Sequence, residues 1–245
     1  MARVESGGLP REVREQYGVA IERDIASRSN LQEPGEVIDR FAYEYLVLLQ
    51  GLQELITYAR NISRRGQQTF LWVGEGTLTA VGQFVKAGWM RGFKVIATTL
   101  DTSICLPVKG VTVMACGAER FRHGRVRIPD LSAVAMVSVC SIQYSARPDL
   151  VVEEARRVLT SGGVFKMVVV PTADDPFADK EIGVWEEALR GSGFDFWPGV
   201  GGPNFAQLVA VKMPAEVTAE TLILDDAKTM GAQIDFFRAQ REPGY

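Results

Sequence analysis

The stretch TFLWVGEGT, residues 69–77, is the segment from which the rest of the chain is interpreted. Its apolar beginning predicts a buried β-strand that ends at Val73, and Gly74 and Gly76 predict a tight turn before a helix that begins near Thr77. Because glycine has no Cβ, a ligand can lie against the main chain there, with the amides of the following helix directed at it. This turn is therefore the best ligand-site candidate in the sequence.

Composition limits the class of protein. The 245 residues are 47% hydrophobic, and 27 basic side chains stand against 30 acidic ones, a net charge of −3 that argues against an autonomous nucleic-acid binder. Three cysteines without CxxC spacing, one histidine and scattered carboxylates predict neither a disulfide scaffold nor a metal site. No apolar run reaches the roughly 20 residues that span a bilayer, and no signal core is present. We expect a cytoplasmic protein without a membrane segment.

Helices are predicted at both ends of the chain. Apolar residues recur at helical spacing over residues 10–30 and 36–61, so residues 1–66 are interpreted as an N-terminal helical cap. Tyr43, Tyr45 and Tyr58 on the second helix could line a substrate cap, although their helical spacing favours core packing. A helix over 224–238 is expected in a C-terminal tail, residues 214–245, that packs on the domain. These end helices are where a homodimer or a protein partner would form its contacts.

Residues 67–213 alternate between apolar strands and helices. Such apolar strands are typical of a parallel sheet that is covered by helices on both faces. The last strand is expected to run antiparallel to the one near Phe196, because no helix separates the two. The predicted strands are 69–73, 94–99, 110–115, 133–139, 164–170, one near Phe196 and 206–212, and the predicted helices are 77–90, 148–159 and 180–190.

Two acidic residues lie where a ligand would bind. A strand, a glycine turn, a helix and a second strand followed by an acid form the generic arrangement for an adenosyl or nucleotide ligand. Asp101 would then pair with ribose hydroxyls, or it would be the N-cap of a short turn at Thr102 and Ser103. Glu75 would accept from a cofactor's ammonium group, or it would cap the following helix.

A second segment carries a resemblance to a known family. The sequence VVEEARRVLTSGGVF, residues 151–165, resembles the segment before strand five of class I S-adenosylmethionine-dependent methyltransferases. The strand order, Gly193-Phe194 and the closing hairpin are also similar, so the resemblance covers about residues 69–212. It implies an α/β, Rossmann-like methyltransferase sheet of seven mostly parallel strands with an antiparallel last strand, helices on both faces and an N-terminal helical cap. Within the family, LWVGEG with ATTLDT, residues 71–76 and 97–102, resembles the ribosomal-RNA uridine-N3 methyltransferase-like branch.

The resemblance also implies a cofactor, S-adenosylmethionine, and its site. In it the glycine turn lines the methionine moiety and Asp101 takes the ribose, while any catalytic base would follow strand four. Ser141, Gln143 and Tyr144 are the polar residues there, either as such a base or as loop support. The implied cofactor-binding residues are Val73, Gly74, Glu75, Gly76, Thr77, Asp101, Thr102, Gly117, Ala118, Glu119 and Cys140.

Departures from the family pattern define the alternatives. Trp72 stands where an Asp is usual, Leu78 replaces the third glycine, Thr99 stands in place of the acid ending strand two, and Gly117 replaces an adenine-contacting Asp, for which Glu119 could substitute. These departures support a catalytically silent binding or partner subunit. An RNA methyltransferase is a further alternative, supported by VGEG and the arginine-rich residues 120–127, which otherwise form a solvated loop. Net charge and the helical cap favour a methyltransferase with a small-molecule acceptor.

Overall fold

A computed structural model describes residues 51–63, 68–75, 78–121, 127–139, 141–169, 182–199 and 206–214. The predicted helices over 10–30 and 224–238 lie outside these residues, as do most of the proposed cap and tail and the centre of the arginine-rich loop. The end of the second predicted helix is described as α1, over 51–62.

After α1 the described chain forms seven strands, with helices between several of them. The strands are β1 Gln68–Val73, β2 Phe93–Thr99, β3 Val111–Ala115, β4 Ala133–Val139, β5 Leu159–Val169, β6 Phe194–Pro198 and β7 Ala206–Lys212. The helices are α2 Thr79–Lys86, α3 Pro148–Val158 and α4 Ile182–Leu189, and short 3₁₀ helices lie at Thr102–Ile104 and Ile142–Tyr144.

The strands form one mixed sheet in the order β3-β2-β1-β4-β5-β7-β6. β1 lies parallel to both β2 and β4, whereas β7 runs antiparallel to both β5 and β6. The predicted α/β sheet with an antiparallel last strand is therefore confirmed. The chain moves from β1 to β2 and β3 on one side and then returns to β4 on the other. This reversal places a topological switch point at the carboxyl ends of β1 and β4, where open α/β sheets bind ligands.

Alternating side chains of β1 enter two different cores. Leu71 and Val73 belong to the core that includes α3 and α4, whereas Phe70 and Trp72 belong to the core that includes α1 and α2. The Trp72 ring lies 5.6 Å from that of Phe84 on α2, measured between centroids. Trp72 is thus a packing residue beneath α2, which explains the absence of a polar residue at this position.

The beginning of β5 differs from the prediction. Residues 160–163 were expected to form a turn before the strand, but β5 already begins at Leu159, which pairs with Ala133 of β4. The glycines instead produce an irregularity inside the strand, because Gly162 has a φ of 75° and the pairing with β4 shifts register between Ala133 and Ala135. The Tyr58 hydroxyl of α1 donates to the Gly162 carbonyl over 2.8 Å, so this tyrosine serves core packing.

The helix after the glycine turn is shorter than predicted. It was expected to reach residue 90, but α2 ends at Lys86 and residues 87–92 form turns. Gly88 and Gly92 have φ values of 78° and 94° there, a left-handed backbone that ends a helix readily at glycine. Met90 of this segment is still buried, and Trp89 packs against the core.

Candidate functional site

The glycine turn at the end of β1 is anchored on β2. Gly74 has a φ of 69°, and its amide donates to the Thr98 hydroxyl over 3.1 Å. The next amide, that of Glu75, donates to the Thr98 carbonyl over 3.0 Å. The first two amides of the turn are therefore bound within the protein. Gly76 and Thr77, also predicted for the cofactor site, lie outside the described residues.

The same turn is held by Ser141 of the loop after β4. The Ser141 hydroxyl donates to the carbonyl of Val73 over 2.9 Å and lies 2.6 Å from the Ser138 hydroxyl. Because a serine hydroxyl has one proton, Ser138 must be the donor in the second contact. A Cβ at Gly74 would lie 2.3 Å from the Ser141 oxygen. Glycine is therefore required at position 74 by its left-handed backbone and by this neighbour.

Glu75 caps helix α2. Its Oε1 accepts a hydrogen bond from the amide of Val81, in the first turn of the helix, over 3.0 Å. The N-cap residue itself, Leu78, is buried, has a φ of 67° and a ψ of 15°, and contributes no capping side chain. A carboxylate near the helix N-terminus is favoured by the macrodipole. Of the two roles considered for Glu75, capping is the one that the structure contains, and the contact with a cofactor ammonium stays a prediction.

Asp101 lies just beyond β2 and is half-buried. Its Oδ1 accepts from the Ser103 amide over 2.9 Å and from the Ser103 hydroxyl over 2.6 Å, which makes Asp101 the N-cap of the helix Thr102–Ile104. The preceding Thr99 is buried, and its hydroxyl bonds to the backbone of Asp101. Asp101 is thus the acid of this loop, next to the exposed Thr102. Its role toward a ribose is untested.

Glu119 connects the loops that follow β3 and β4. Its Oε1 accepts from the Arg147 amide over 3.0 Å and also from the Ser145 hydroxyl. Arg147 is the N-cap of α3, so this carboxylate holds the start of that helix against the β3 loop. At Gly117 an added Cβ would lie 3.8 Å from the Leu100 side chain, whereas Ala118 packs against the core.

The loop after β4 holds the three residues considered as a base. Ser141 precedes the short helix Ile142–Tyr144, in which Gln143 is buried and Tyr144 is half-buried. Ser141 contacts the last carbonyl of β1 before the glycine turn, and Cys140 lies outside the described residues. Thr98 bonds to the glycine turn and Ser138 bonds to Ser141 at the switch point. Sequence reasoning missed both, because a hydroxyl residue inside a strand also fits a pleated, half-buried surface.

The described residues also bear on a reactive thiol, a metal site and a membrane helix. Burial, with a smaller effect of Glu154, raises the pKa of the Cys116 thiol to about 11, so this cysteine stays protonated at neutral pH. In the described ranges, no three His, Cys, Asp or Glu side chains form a group that could hold a metal ion. Within the same part of the chain, every helix is too short or too polar to cross a membrane.

Comparison with known proteins assigns the fold. No protein-family model and no curated protein sequence matches the chain. Among solved structures, a SAM-dependent methyltransferase from Aquifex aeolicus has a TM-score of 0.52 at 16% identity, over 74% of this chain and 100% of that one. The fold is therefore the Rossmann-like fold of class I S-adenosylmethionine-dependent methyltransferases.

Two other solved structures share this fold. The Burkholderia thailandensis 1,6-didemethyltoxoflavin-N1-methyltransferase, with bound 1,6-didemethyltoxoflavin and S-adenosylhomocysteine, has a TM-score of 0.50 at 14% identity, over 87% of this chain and 95% of that one. The CurJ carbon methyltransferase has a TM-score of 0.54 at 11% identity over 66% of this chain, which spans about half, 53%, of the CurJ structure.

Proposed function

We propose that this chain is an S-adenosylmethionine-dependent methyltransferase with a small-molecule acceptor. The observation that carries the proposal is the left-handed glycine turn at the carboxyl end of β1, next to β4, where the strand order β3-β2-β1-β4-β5-β7-β6 reverses. Ligands of open α/β sheets bind in the crevice at this point. The methyltransferases that share the fold support the choice of cofactor.

The residues at the crevice fit an adenosyl cofactor in part. Asp101 would take the ribose, the loop of Gly117 would lie beside the base, and Gly74 would line the methionine portion. The cofactor would supply an activated methyl group. Transfer of that group is an in-line displacement, which depends on positioning more than on an acid-base pair. The absence of an evident catalytic dyad among the described residues of the loop after β4 is therefore compatible with the proposal.

A small-molecule acceptor is favoured over RNA. The net charge of −3 gives the chain no overall attraction for a polyanion, and the B. thailandensis structure contains a small-molecule ligand, 1,6-didemethyltoxoflavin. The resemblance of residues 71–76 to the ribosomal-RNA uridine-N3 branch receives no support from the comparisons, and the branch's Asn-Phe-Pro-His type motif is replaced by VCSIQY at residues 139–144. RNA methylation is therefore the less favoured reading.

One observation favours a catalytically silent binding subunit as the second function. Each of the three acids on the loops of the crevice, Glu75, Asp101 and Glu119, accepts a hydrogen bond from a backbone amide of the protein itself. Carboxylates used in this way stabilise the loops whether or not a ligand is present. A protein that had kept the fold and lost the cofactor would retain the same contacts.

Calorimetric titration with S-adenosylmethionine and S-adenosylhomocysteine separates these functions. A cofactor site predicts measurable heat and a rise in melting temperature, since ligand at about 100 times its Kd stabilises the native state by about 2.7 kcal/mol. The absence of both signals at millimolar ligand would exclude the enzyme. Binding without formation of S-adenosylhomocysteine from a panel of small nucleophiles would favour the silent subunit. For RNA, affinity that falls steeply with salt in filter binding would reverse the choice of acceptor.

A further inference from the structure

We propose that Ser141 is a positioning residue that couples the loop after β4 to the glycine turn after β1. The coupling itself is a property of the protein alone. Its consequence for the cofactor rests on the proposed function. The inference concerns one hydroxyl group, which contacts the last carbonyl of β1 immediately before Gly74.

The first step is the hydrogen-bond chain between the two strands. Ser138 and Val73 pair across β4 and β1, and the Ser138 hydroxyl donates to Ser141, whose own hydroxyl donates to the Val73 carbonyl. Ser138 is buried, and its position is fixed by the ladder. The two hydroxyls therefore connect Ser141, in the loop after β4, to the end of β1, which carries the turn.

The second step is the close approach of Ser141 to Gly74. A Cβ built on Gly74 would lie 2.4 Å from the Ser141 Cβ as well as 2.3 Å from its oxygen. The serine thus fills the space on one side of the glycine. On the other side, Thr98 of β2 accepts the amides of both Gly74 and Glu75. The turn is confined between β2 and the loop after β4, which lie on opposite sides of β1.

The third step is the position of Ser141 in its own loop. It directly precedes the short helix Ile142–Tyr144, and the Tyr144 amide donates to the Ser141 carbonyl over 3.2 Å. A displacement of this helix by an acceptor would shift Ser141 and, through the Val73 carbonyl, the turn. Binding at one loop is therefore expected to change affinity at the other, as sites that share a structural element do.

Amide hydrogen exchange on the protein without ligand tests the coupling directly. In Ser141→Ala, the amides of Gly74 and Glu75 are expected to exchange about five- to tenfold faster, the effect of losing one hydrogen bond of ordinary strength. Ser132→Ala is the matched control, because the Ser132 hydroxyl also donates to a backbone carbonyl, that of Pro129, over 2.8 Å, but before the opposite end of β4. It should leave exchange at both amides unchanged.

Cofactor titration of the same variants tests the functional consequence. S-adenosylmethionine should bind Ser141→Ala about five- to tenfold more weakly than the wild type, while Ser132→Ala binds normally. Equal effects of the two variants on both measurements would reduce Ser141 to ordinary structural support. Unchanged exchange at Gly74 and Glu75 in Ser141→Ala would overturn the coupling, whatever the ligand does. A wild type that binds no cofactor would overturn the proposed function, and the exchange data would still decide the role of Ser141.

Discussion

Asp101 can serve a local turn and a ligand with the same carboxylate, and the two roles are separable by substitution. Asparagine is as good an N-cap as aspartate, so Asp101→Asn should keep the bond from the Ser103 amide and the melting temperature. Loss of the charge should weaken S-adenosylmethionine binding about tenfold, since a hydrogen bond to a charged group contributes about 1.5–3 kcal/mol. Calorimetric titration and thermal unfolding measure the two effects.

Asp101→Ala provides the comparison. It removes the cap and the charge, so both the melting temperature and the affinity should fall. If Asp101→Asn binds the cofactor as tightly as the wild type, Asp101 does not hold the ribose and its role is the cap alone.

Two leucines with a left-handed backbone should respond oppositely to glycine. Leu78 and Leu131 have φ values of 67° and 51°, but Leu78 is buried whereas Leu131 is 59% exposed. A non-glycine residue in this region costs about 1–2 kcal/mol, which glycine relieves. Leu131→Gly should therefore be neutral or stabilising by up to about 1 kcal/mol. Leu78→Gly should destabilise by about 1–4 kcal/mol, because the loss of a buried leucine side chain exceeds the relief. Denaturant unfolding checks both signs, and a stabilising Leu78→Gly would contradict this packing argument.

Some site residues could be identified from the sequence and others could not. The departures at Trp72, Leu78 and Thr99 were visible, and all three side chains are buried, so packing accounts for their apolar or uncharged character. The contacts of Thr98 and Ser138 with the crevice were not visible. The Thr98 hydroxyl meets the turn, and the Ser138 hydroxyl reaches it through Ser141, only because β1 lies between β2 and β4. No local pattern encodes that neighbourhood.

At the scale of elements, periodicity predicted strands more accurately than glycines predicted turns. β4 and β7 have the predicted bounds, because their apolar runs end at polar or irregular segments. β5 was placed five residues late, since the pair Gly162-Gly163 was interpreted as a turn before it. Leu159 is both the C-cap of α3 and the first residue of β5. A helix followed directly by a strand leaves no loop for the glycines to occupy.

Arg157 of α3 forms a buried ion pair with Glu154 of the same helix and also contacts the segment that precedes β4. Arg157 donates from two nitrogens to Glu154, at 3.0 and 2.9 Å, and also to the Ile128 carbonyl and to Asp130. The side chains of Arg157 and Glu154 are each only 7% exposed. Arg157→Met should therefore destabilise the protein by about 3–5 kcal/mol, because it leaves the Glu154 carboxylate buried without its main partner.

A surface pair on the same helix is the control for this prediction. The Nη2 atom of Arg147 lies 2.5 Å from Oδ2 of Asp149, but both side chains are 58% exposed. Arg147→Ala should change the free energy of unfolding by less than about 1 kcal/mol. Adding Glu154→Leu to Arg157→Met should recover part of the lost stability, since the unpaired charge is then removed. Equal losses for Arg147→Ala and Arg157→Met in denaturant unfolding would contradict the role of burial.

At the scale of the whole molecule, α1 joins the N-terminal segment to the centre of the sheet. Its Tyr58 bonds to β5, and Lys166 of β5 extends beneath it, where a Cβ on Gly51 would lie 2.3 Å from the lysine nitrogen. Lys166 is 6% exposed. Burial lowers the pKa of its ammonium group to about 8, and the charge of Glu54 on α1 opposes this effect. The helix is thus packed over a cation that titrates near neutral pH.

The lowered pKa of Lys166 predicts how stability depends on pH. Between pH 8 and 10.5 the unfolded chain keeps the lysine proton and the folded chain loses it, so this group makes the protein more stable as pH rises. Below pH 8 both states are protonated, and the folded state carries the cost of a buried charge. The free energy of unfolding of the wild type minus that of Lys166→Met should therefore rise by up to about 3 kcal/mol from pH 7 to 10. Tyr58 and Cys116 are present in both proteins, so their contributions to the pH dependence cancel in this difference. Urea unfolding at several pH values measures it, and parallel curves would mean that Lys166 keeps its charge beneath α1.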